Sequence, residues 1–136
     1  MKAAIRTVAA IFLGMLTAIV LIVAVELIQS FVYPPPPGFD SSSPEQMSEY
    51  VTRIPQWFLA VGVVFWALTA CVSTWLARIT GNRYASTVVG LLLLAMLVFN
   101  IALLPYPVWF KVANLVAIPL AIVAGSRLAI GRKAPV

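Results

Sequence analysis

Hydrophobic positions in this chain fall into four long runs, separated by polar or proline-containing segments. The runs cover residues 7–32, 55–77, 84–104 and 106–126. Each is longer than the roughly 18 apolar residues that indicate a membrane-spanning helix. As a helix, the first run is about 39 Å long, so it must tilt or project beyond a hydrocarbon core of about 30 Å. The pattern predicts an all-α membrane protein with a single domain, residues 1–136.

The links between the later runs are short. Residues 79–83 contain a Gly-Asn turn, and residues 104–107 contain two prolines. Because short links make consecutive helices antiparallel neighbours, we expect a four-transmembrane-helix antiparallel bundle. Pro119 removes a backbone donor within the fourth run and predicts a kink there. Close helix packing in the fourth run is predicted by small residues at a spacing of four: Ala113, Ala117, Ala121 and Gly125.

The connection of residues 33–54 is the only long one, and its sequence predicts local structure. Residues 34–37 are all proline and favour a stiff polyproline II segment. Ser43 is a good helix N-cap, Pro44 suits the first helical position, and Gln46 completes a capping box. Apolar residues then follow on one helical face: Met47, Tyr50, Val51 and Ile54. We expect a short extracytoplasmic amphipathic helix, serving either as a structural lid or as a gate or docking surface.

Composition excludes several kinds of chemistry. The chain is 62% hydrophobic and 10% charged, with one cysteine, Cys71, and no histidine. An intramolecular disulfide therefore cannot form, and histidine-ligated haem, the usual zinc sites and a Ser-His-Asp triad all lack their imidazole. We expect no metal, no cofactor and no catalytic residue. The net charge of +5 comes from residues at the ends of the runs, so it indicates topology rather than nucleic-acid binding.

The distribution of basic residues predicts the orientation. Arg53 and Lys111 fall on one side of the expected bundle. The other side carries Lys2, Arg6, Arg78, Arg83, Arg127, Arg132 and Lys133. The positive-inside rule places this richer side, and with it both termini, in the cytoplasm. A cleaved signal peptide is the competing interpretation of the first run, but the apolar stretch is too long and no small-x-small cleavage site follows it.

Glu26 is the only acid within the first hydrophobic run. A carboxylate near the middle of a bilayer costs roughly 2.5 kcal/mol or more. A partner cation, a water-filled cavity or protonation must offset that cost. Gln29, Ser30 and Tyr33 lie on the same helical face as Glu26.

Three amides lie at a similar depth and suggest a site. We predict a ligand or ion site formed by Glu26, Gln29, Asn100 and Asn114, with Arg53 or Lys111 as counter-ion. Two interpretations of this group stay open. In the first, the polar side chains simply hydrogen-bond between helices, which contributes about 0.6 kcal/mol per pair on average. Alternatively, they line an outward-facing site for a proton, a cation or a small polar ligand.

Several motifs together resemble a family of small bacterial four-span membrane proteins with no established activity. They are Val25-Glu26, the Tyr-Pro-Pro-Pro-Pro-Gly of residues 33–38, Pro55 before a Trp-containing span, and the Pro-Tyr-Pro-Val-Trp-Phe of residues 105–110. The resemblance covers most of the chain and implies a bacterial inner-membrane location. Small multidrug transporters are also similar in having four spans and an essential Glu in the first. That similarity would make Glu26 a proton and cation site, but those chains are shorter and lack the proline-rich loop.

Three functions follow from these observations. We favour a non-enzymatic structural or accessory subunit of a membrane complex, for which Glu26→Gln keeps fold and assembly. The alternative is a small oligomeric transporter or channel that uses Glu26 as an intramembrane site, for which Glu26→Gln abolishes flux. An intramembrane enzyme has little support, since Glu26 would be its only acid or base. The expected partners are the lipid bilayer and either other membrane subunits or further copies of the chain.

Overall fold

Five helices and no strand make up the described part of the chain, residues 1–130, in the computed structural model. Arg132 and Lys133, which the orientation prediction uses, lie outside the described residues. Four of the five helices, all but α2, are long and apolar enough to cross a membrane. Over the described residues this confirms the predicted all-helical fold with four helices of spanning length. The helices are α1 (Lys2–Val32), α2 (Pro44–Arg53), α3 (Gln56–Thr80), α4 (Arg83–Leu103) and α5 (Val108–Leu128).

The helix boundaries differ from the hydrophobic runs by a few residues. α1 begins at Lys2 because the hydrogen bond from Ile5 N to Met1 O, 3.1 Å long, continues the helix through its charged first turn. α5 begins at Val108 rather than two residues earlier because Pro107 occupies the N-cap position. Pro119 lies within α5, and the helix continues past it.

The α3–α4 pair forms the centre of the bundle. α3 packs against α4, and each of them contacts both α1 and α5. The start of α1 lies beside the α3–α4 turn, where Arg6 Nε donates to Thr80 O over 2.8 Å and Asn82 Nδ2 donates to Thr7 Oγ1 over 2.6 Å. At the other end of the bundle, the ring of Tyr33 lies 5.7 Å from that of Phe58, measured between centroids. Residues of α1 therefore meet residues of α3 in reverse order.

Small residues let the helices approach closely in the half of the bundle near the α3–α4 turn. A Cβ added at Gly14 would lie 2.9 Å from Val89 Cγ2 and 3.0 Å from Ala77 Cβ. One added at Gly90 would lie 2.6 Å from Ile122 Cγ2. Gly125, at the end of the predicted small-residue series, contacts the backbone of α3. These contacts close this half of the bundle.

A buried hydroxyl ties three helices together in the same region. Ser86 Oγ donates to Thr74 O over 3.0 Å and lies 2.8 Å from Ser126 Oγ. Ser86 is fully buried. In lipid such bonds stabilise helix association, because no water competes for the polar groups.

α2 is attached to the end of α1 by two tyrosines. Tyr33 Oη donates to Arg53 O over 3.1 Å, and Tyr50 Oη donates to Tyr33 O over 3.0 Å. Ser43 Oγ caps the helix by accepting from Gln46 N over 3.5 Å. The second bond of the predicted capping box is different, because Gln46 Oε1 accepts from Asp40 N over 2.8 Å rather than from the N-cap residue.

Candidate functional site

A cavity of about 240 Å³ lies between the four spanning helices, and all four contribute to its wall. Most of the wall is apolar. The polar side chains on it are few: Glu26 from α1, Trp66 and Thr69 from α3, and Asn100 from α4. The remaining lining residues are Ile22, Ala70, Leu93, Met96, Leu97 and Ile118. An apolar pocket with a few convergent polar groups is the usual form of a small-ligand site.

The cavity lies in the half of the bundle away from the α3–α4 turn. Asn100 is 17 residues beyond Arg83, which corresponds to about 26 Å along α4. The lining residue Leu93 lies deeper, about 15 Å beyond Arg83. Further toward the α3–α4 turn, Gly14 packs closely against Val89 and Ala77, which leaves no room for the cavity to continue. The cavity is therefore a vestibule that is closed at one end.

Glu26 lies on the wall of this cavity, and its side chain is exposed. No cation of the described chain forms an ion pair with it. Arg53, a predicted counter-ion, pairs with Glu49 on its own helix, where both side chains are exposed. Lys111, the other predicted counter-ion, is half-buried in the first turn of α5 and forms no ion pair in residues 1–130. The carboxylate thus has no charge partner within the part of the chain that the structure describes.

Asn100 supplies the second polar group of the cavity. Its Oδ1 is buried and has no hydrogen-bond partner in the described chain. Thr69, by contrast, donates its hydroxyl to Phe65 O over 2.9 Å and is satisfied within its own helix. Because an unpartnered buried acceptor costs about 1–3 kcal/mol, Asn100 Oδ1 is a natural acceptor for a donor that enters the cavity.

The other two predicted site residues lie outside the lining of the cavity. Gln29 is one turn further along α1, with its Nε2 packed near Gly62 of α3. Asn114 is fully buried in α5, where its Nδ2 donates to Phe110 O over 2.9 Å and its Oδ1 has no partner in the described residues. The structure therefore brings Glu26 and Asn100 to one cavity and places the remaining two amides elsewhere.

Two aromatic residues belong to this region and were not among the predicted site residues. Trp66 lines the cavity, and its ring lies 5.7 Å from that of Phe110. Tyr106, in the link between α4 and α5, stacks on Phe110 at 4.5 Å. Burial raises the pKa of Tyr106 to about 12, and the negative charge of Glu26 adds to the shift. The Tyr33–Phe58 contact explains why Trp66 lies near Glu26. Glu26 is seven positions before Tyr33 on α1, and Trp66 is eight positions after Phe58 on α3. Because residues of α1 meet those of α3 in reverse order, the two lie at nearly the same level.

Residues 1–130 hold no group of three His, Cys, Asp or Glu side chains that could bind a metal ion. Comparisons with known proteins add no identity: no protein family, no curated protein and no solved structure matches the chain significantly. The site must therefore be interpreted from its own geometry.

Proposed function

We propose that this chain is a non-enzymatic accessory subunit of a bacterial inner-membrane complex, and that it docks through the α1 face that carries Glu26. The observation that supports this most directly is an exposed acid on a membrane-spanning helix that pairs with no cation of residues 1–130. Intramembrane acids generally face a protein partner or a water-filled cavity, because lipid solvates them poorly. A neighbouring subunit with a Lys, an Arg or a hydrogen-bond donor would satisfy the carboxylate.

The surface around Glu26 suits such docking. Among the helices of residues 1–130, α1 contacts only α3 and α4, and much of its remaining surface is apolar. Exposed apolar side chains on the same face of α1 include Ile19 and Val23, seven and three positions before Glu26. Within one bundle this face meets lipid alone. A partner helix would cover both the apolar side chains and the carboxylate.

The proposed topology is an antiparallel bundle with both termini in the cytoplasm. The helix α2 then lies on the opposite, extracytoplasmic side of the membrane. The reversed pairing of α1 with α3 supports the antiparallel arrangement. The basic residues near the α3–α4 turn support the orientation, since Arg6, Arg78, Arg83 and Arg127 lie at that end while Arg53 lies at the other. The bacterial location rests on the sequence resemblance. The absence of a second acid beside Glu26 in the cavity favours a non-enzymatic role.

Co-purification from the source membrane tests the accessory role. The chain is extracted in mild detergent through an affinity tag, and native mass spectrometry identifies subunits that are present in fixed stoichiometry. The structure changes the sequence-based expectation that Glu26→Gln keeps assembly. Because Glu26 is exposed and no cation of residues 1–130 pairs with it, the variant should keep the fold but weaken assembly, by about tenfold if one charge-assisted bond is lost. Glu45→Gln is the matched control, since it removes an exposed acid of α2. Isolation of the wild-type chain without any foreign subunit contradicts the proposal.

A small transporter is the second candidate, and the vestibule is the observation that favours it. Glu26, Asn100 and the ring of Trp66 could together hold a small cation, since a carboxylate, an amide oxygen and an indole face all attract positive charge. A single bundle is closed between the cavity and the α3–α4 turn. Transport would therefore require a rearrangement of the helices or several copies of the chain. Proton or cation flux in liposomes that contain only this chain, abolished by Glu26→Gln and retained by Glu45→Gln, would favour transport over the accessory role.

A further inference from the structure

A second cavity lies between α4 and α5 at the end of the bundle near the α3–α4 turn. It is an open groove of about 500 Å³, and it shares no residue with the vestibule. Three arginines from three different helices line it: Arg78 from α3, Arg83 from α4 and Arg127 from α5. Three hydroxyl residues also contribute: Ser86, Thr87 and Ser126.

The three arginines have no acidic partner within residues 1–130. The ion pair of residues 1–130 joins Arg53 and Glu49, at the opposite end of the bundle. The four acids of the whole sequence are Glu26, Asp40, Glu45 and Glu49, and none lines the groove. Planar guanidinium groups bind phosphate oxygens in pairs, so an unopposed arginine cluster is suited to a phosphate group.

Deeper in the groove the wall becomes apolar. Leu91, Leu94, Pro119, Ile122 and Val123 form this part. Gly90 lacks a side chain, which brings α4 close to Ile122 and shapes the floor. Leu94 lies 11 residues beyond Arg83, about 16 Å along the helix, which is close to half of a hydrocarbon core of about 30 Å. The groove therefore combines a cationic end with an apolar wall whose length is close to the thickness of one membrane leaflet.

We propose that this groove binds one anionic phospholipid, with the phosphate on Arg83 and Arg127 and an acyl chain along the apolar wall. Orientation by the positive-inside rule requires only that basic residues lie on one side of the membrane. It does not require that arginines from three helices converge on one leaflet-deep groove. A free phosphate ion would use the arginines and leave the apolar part without an occupant.

Competition between two lipids tests the proposal. The delipidated full chain in mild detergent is mixed with equal amounts of dioleoylphosphatidylglycerol and dioleoylphosphatidylcholine, captured on resin and washed. Mass spectrometry then measures the retained lipids. We expect the wild-type chain to retain about one phosphatidylglycerol and to prefer it clearly. Arg83→Gln/Arg127→Gln should reduce that preference by about 30-fold, since each basic residue near an anionic lipid surface contributes about fivefold.

The control removes the same charge from the same end of the bundle. Lys2→Gln/Arg6→Gln changes two exposed basic residues outside the groove and should keep the lipid preference. Circular dichroism verifies that both double variants are folded. An equal loss in both double variants would mean that only net charge matters and would overturn the proposal. Displacement of phosphatidylglycerol by excess inorganic phosphate would overturn it too, because the site would then belong to a free anion.

Discussion

Gly14 of α1 lies so close to Val89 of α4 that a side-chain carbon at residue 14 would stand 2.9 Å from Val89 Cγ2. Both residues are buried, and the same added carbon would stand 3.0 Å from Ala77 Cβ on α3. Three helices thus meet where the vestibule ends. The contact closes the bundle, and it makes the fold sensitive to a single methyl group.

Gly14→Ala is expected to destabilise the bundle by about 1–3 kcal/mol, because a methyl group in this contact forces α1 away from α4. Gly62→Ala is the matched control. Its added carbon would meet only Gln29 Nε2, at 3.5 Å, and alanine improves helix propensity by up to about 1 kcal/mol. Unfolding of each variant in mixtures of mild detergent and SDS, followed by circular dichroism, measures the difference. Equal stability of the two variants would contradict the close α1–α4 contact.

Two buried polar residues should respond to mutation in opposite ways. Ser86→Ala removes contacts with Thr74 O and Ser126 Oγ, and we expect a loss of about 0.6–1.5 kcal/mol. Asn114→Leu keeps the branched outline of the side chain and removes an Oδ1 that has no partner in the described residues. We therefore expect its stability to equal or exceed that of the wild type. Unfolding of both variants in mixtures of mild detergent and SDS measures these changes in stability. A larger loss of stability in Asn114→Leu than in Ser86→Ala would indicate that a partner satisfies Asn114 Oδ1.

The sequence predicted the spans well and the orientation of side chains within them poorly. Long apolar runs identify membrane helices because lipid contact favours apolar residues on every side. For the same reason most of α1 carries no polar stripe that marks which face meets α3, and only its last turns group polar residues on one face. Depth alone groups Glu26 with Asn100, and it groups Asn114 with them as well. Asn114 nevertheless lies outside the cavity lining and donates to Phe110 O on its own helix.

Local chemistry was a better guide in the connections. The Ser43-Pro44 start of α2 was predictable because capping depends on residues only three positions apart. The partner of Gln46 was not predictable in the same way, because its side chain accepts over 2.8 Å from Asp40 N, six positions earlier and outside the capping-box pattern. The groove arginines illustrate the same limit. Their shared side followed from the positive-inside rule, whereas their convergence depends on how α3, α4 and α5 pack.

The hydroxyl group of Tyr106 should lose its proton at a higher pH than that of an ordinary tyrosine. Burial, with a further contribution from the charge of Glu26, raises its pKa from 10.0 to about 12. The unfolded chain releases this proton near pH 10 and the folded chain holds it until about pH 12, so its contribution to stability is complete below pH 10 and is lost as the pH rises toward 12. The difference in phenolate absorbance between the wild type and Tyr106→Phe, measured as a function of pH, gives the ionisation of Tyr106 alone. A wild-type curve that matches the variant above pH 11 would contradict the buried position of Tyr106.

Loss of one tyrosine hydroxyl should loosen α2 without affecting the spans. Tyr50 Oη donates to Tyr33 O, and the two rings lie 5.8 Å apart, so Tyr50→Phe keeps the ring contact and removes the bond. A neutral hydrogen bond contributes about 1 kcal/mol, which corresponds to amide exchange about fivefold faster in α2. Hydrogen–deuterium exchange with mass spectrometry measures this on peptides from α2 and from α3. Tyr84→Phe is the control, since its side chain is 76% exposed and outside this contact, and it should leave both peptides unchanged. Unchanged exchange of α2 in Tyr50→Phe would show that the ring contacts alone hold the helix in place.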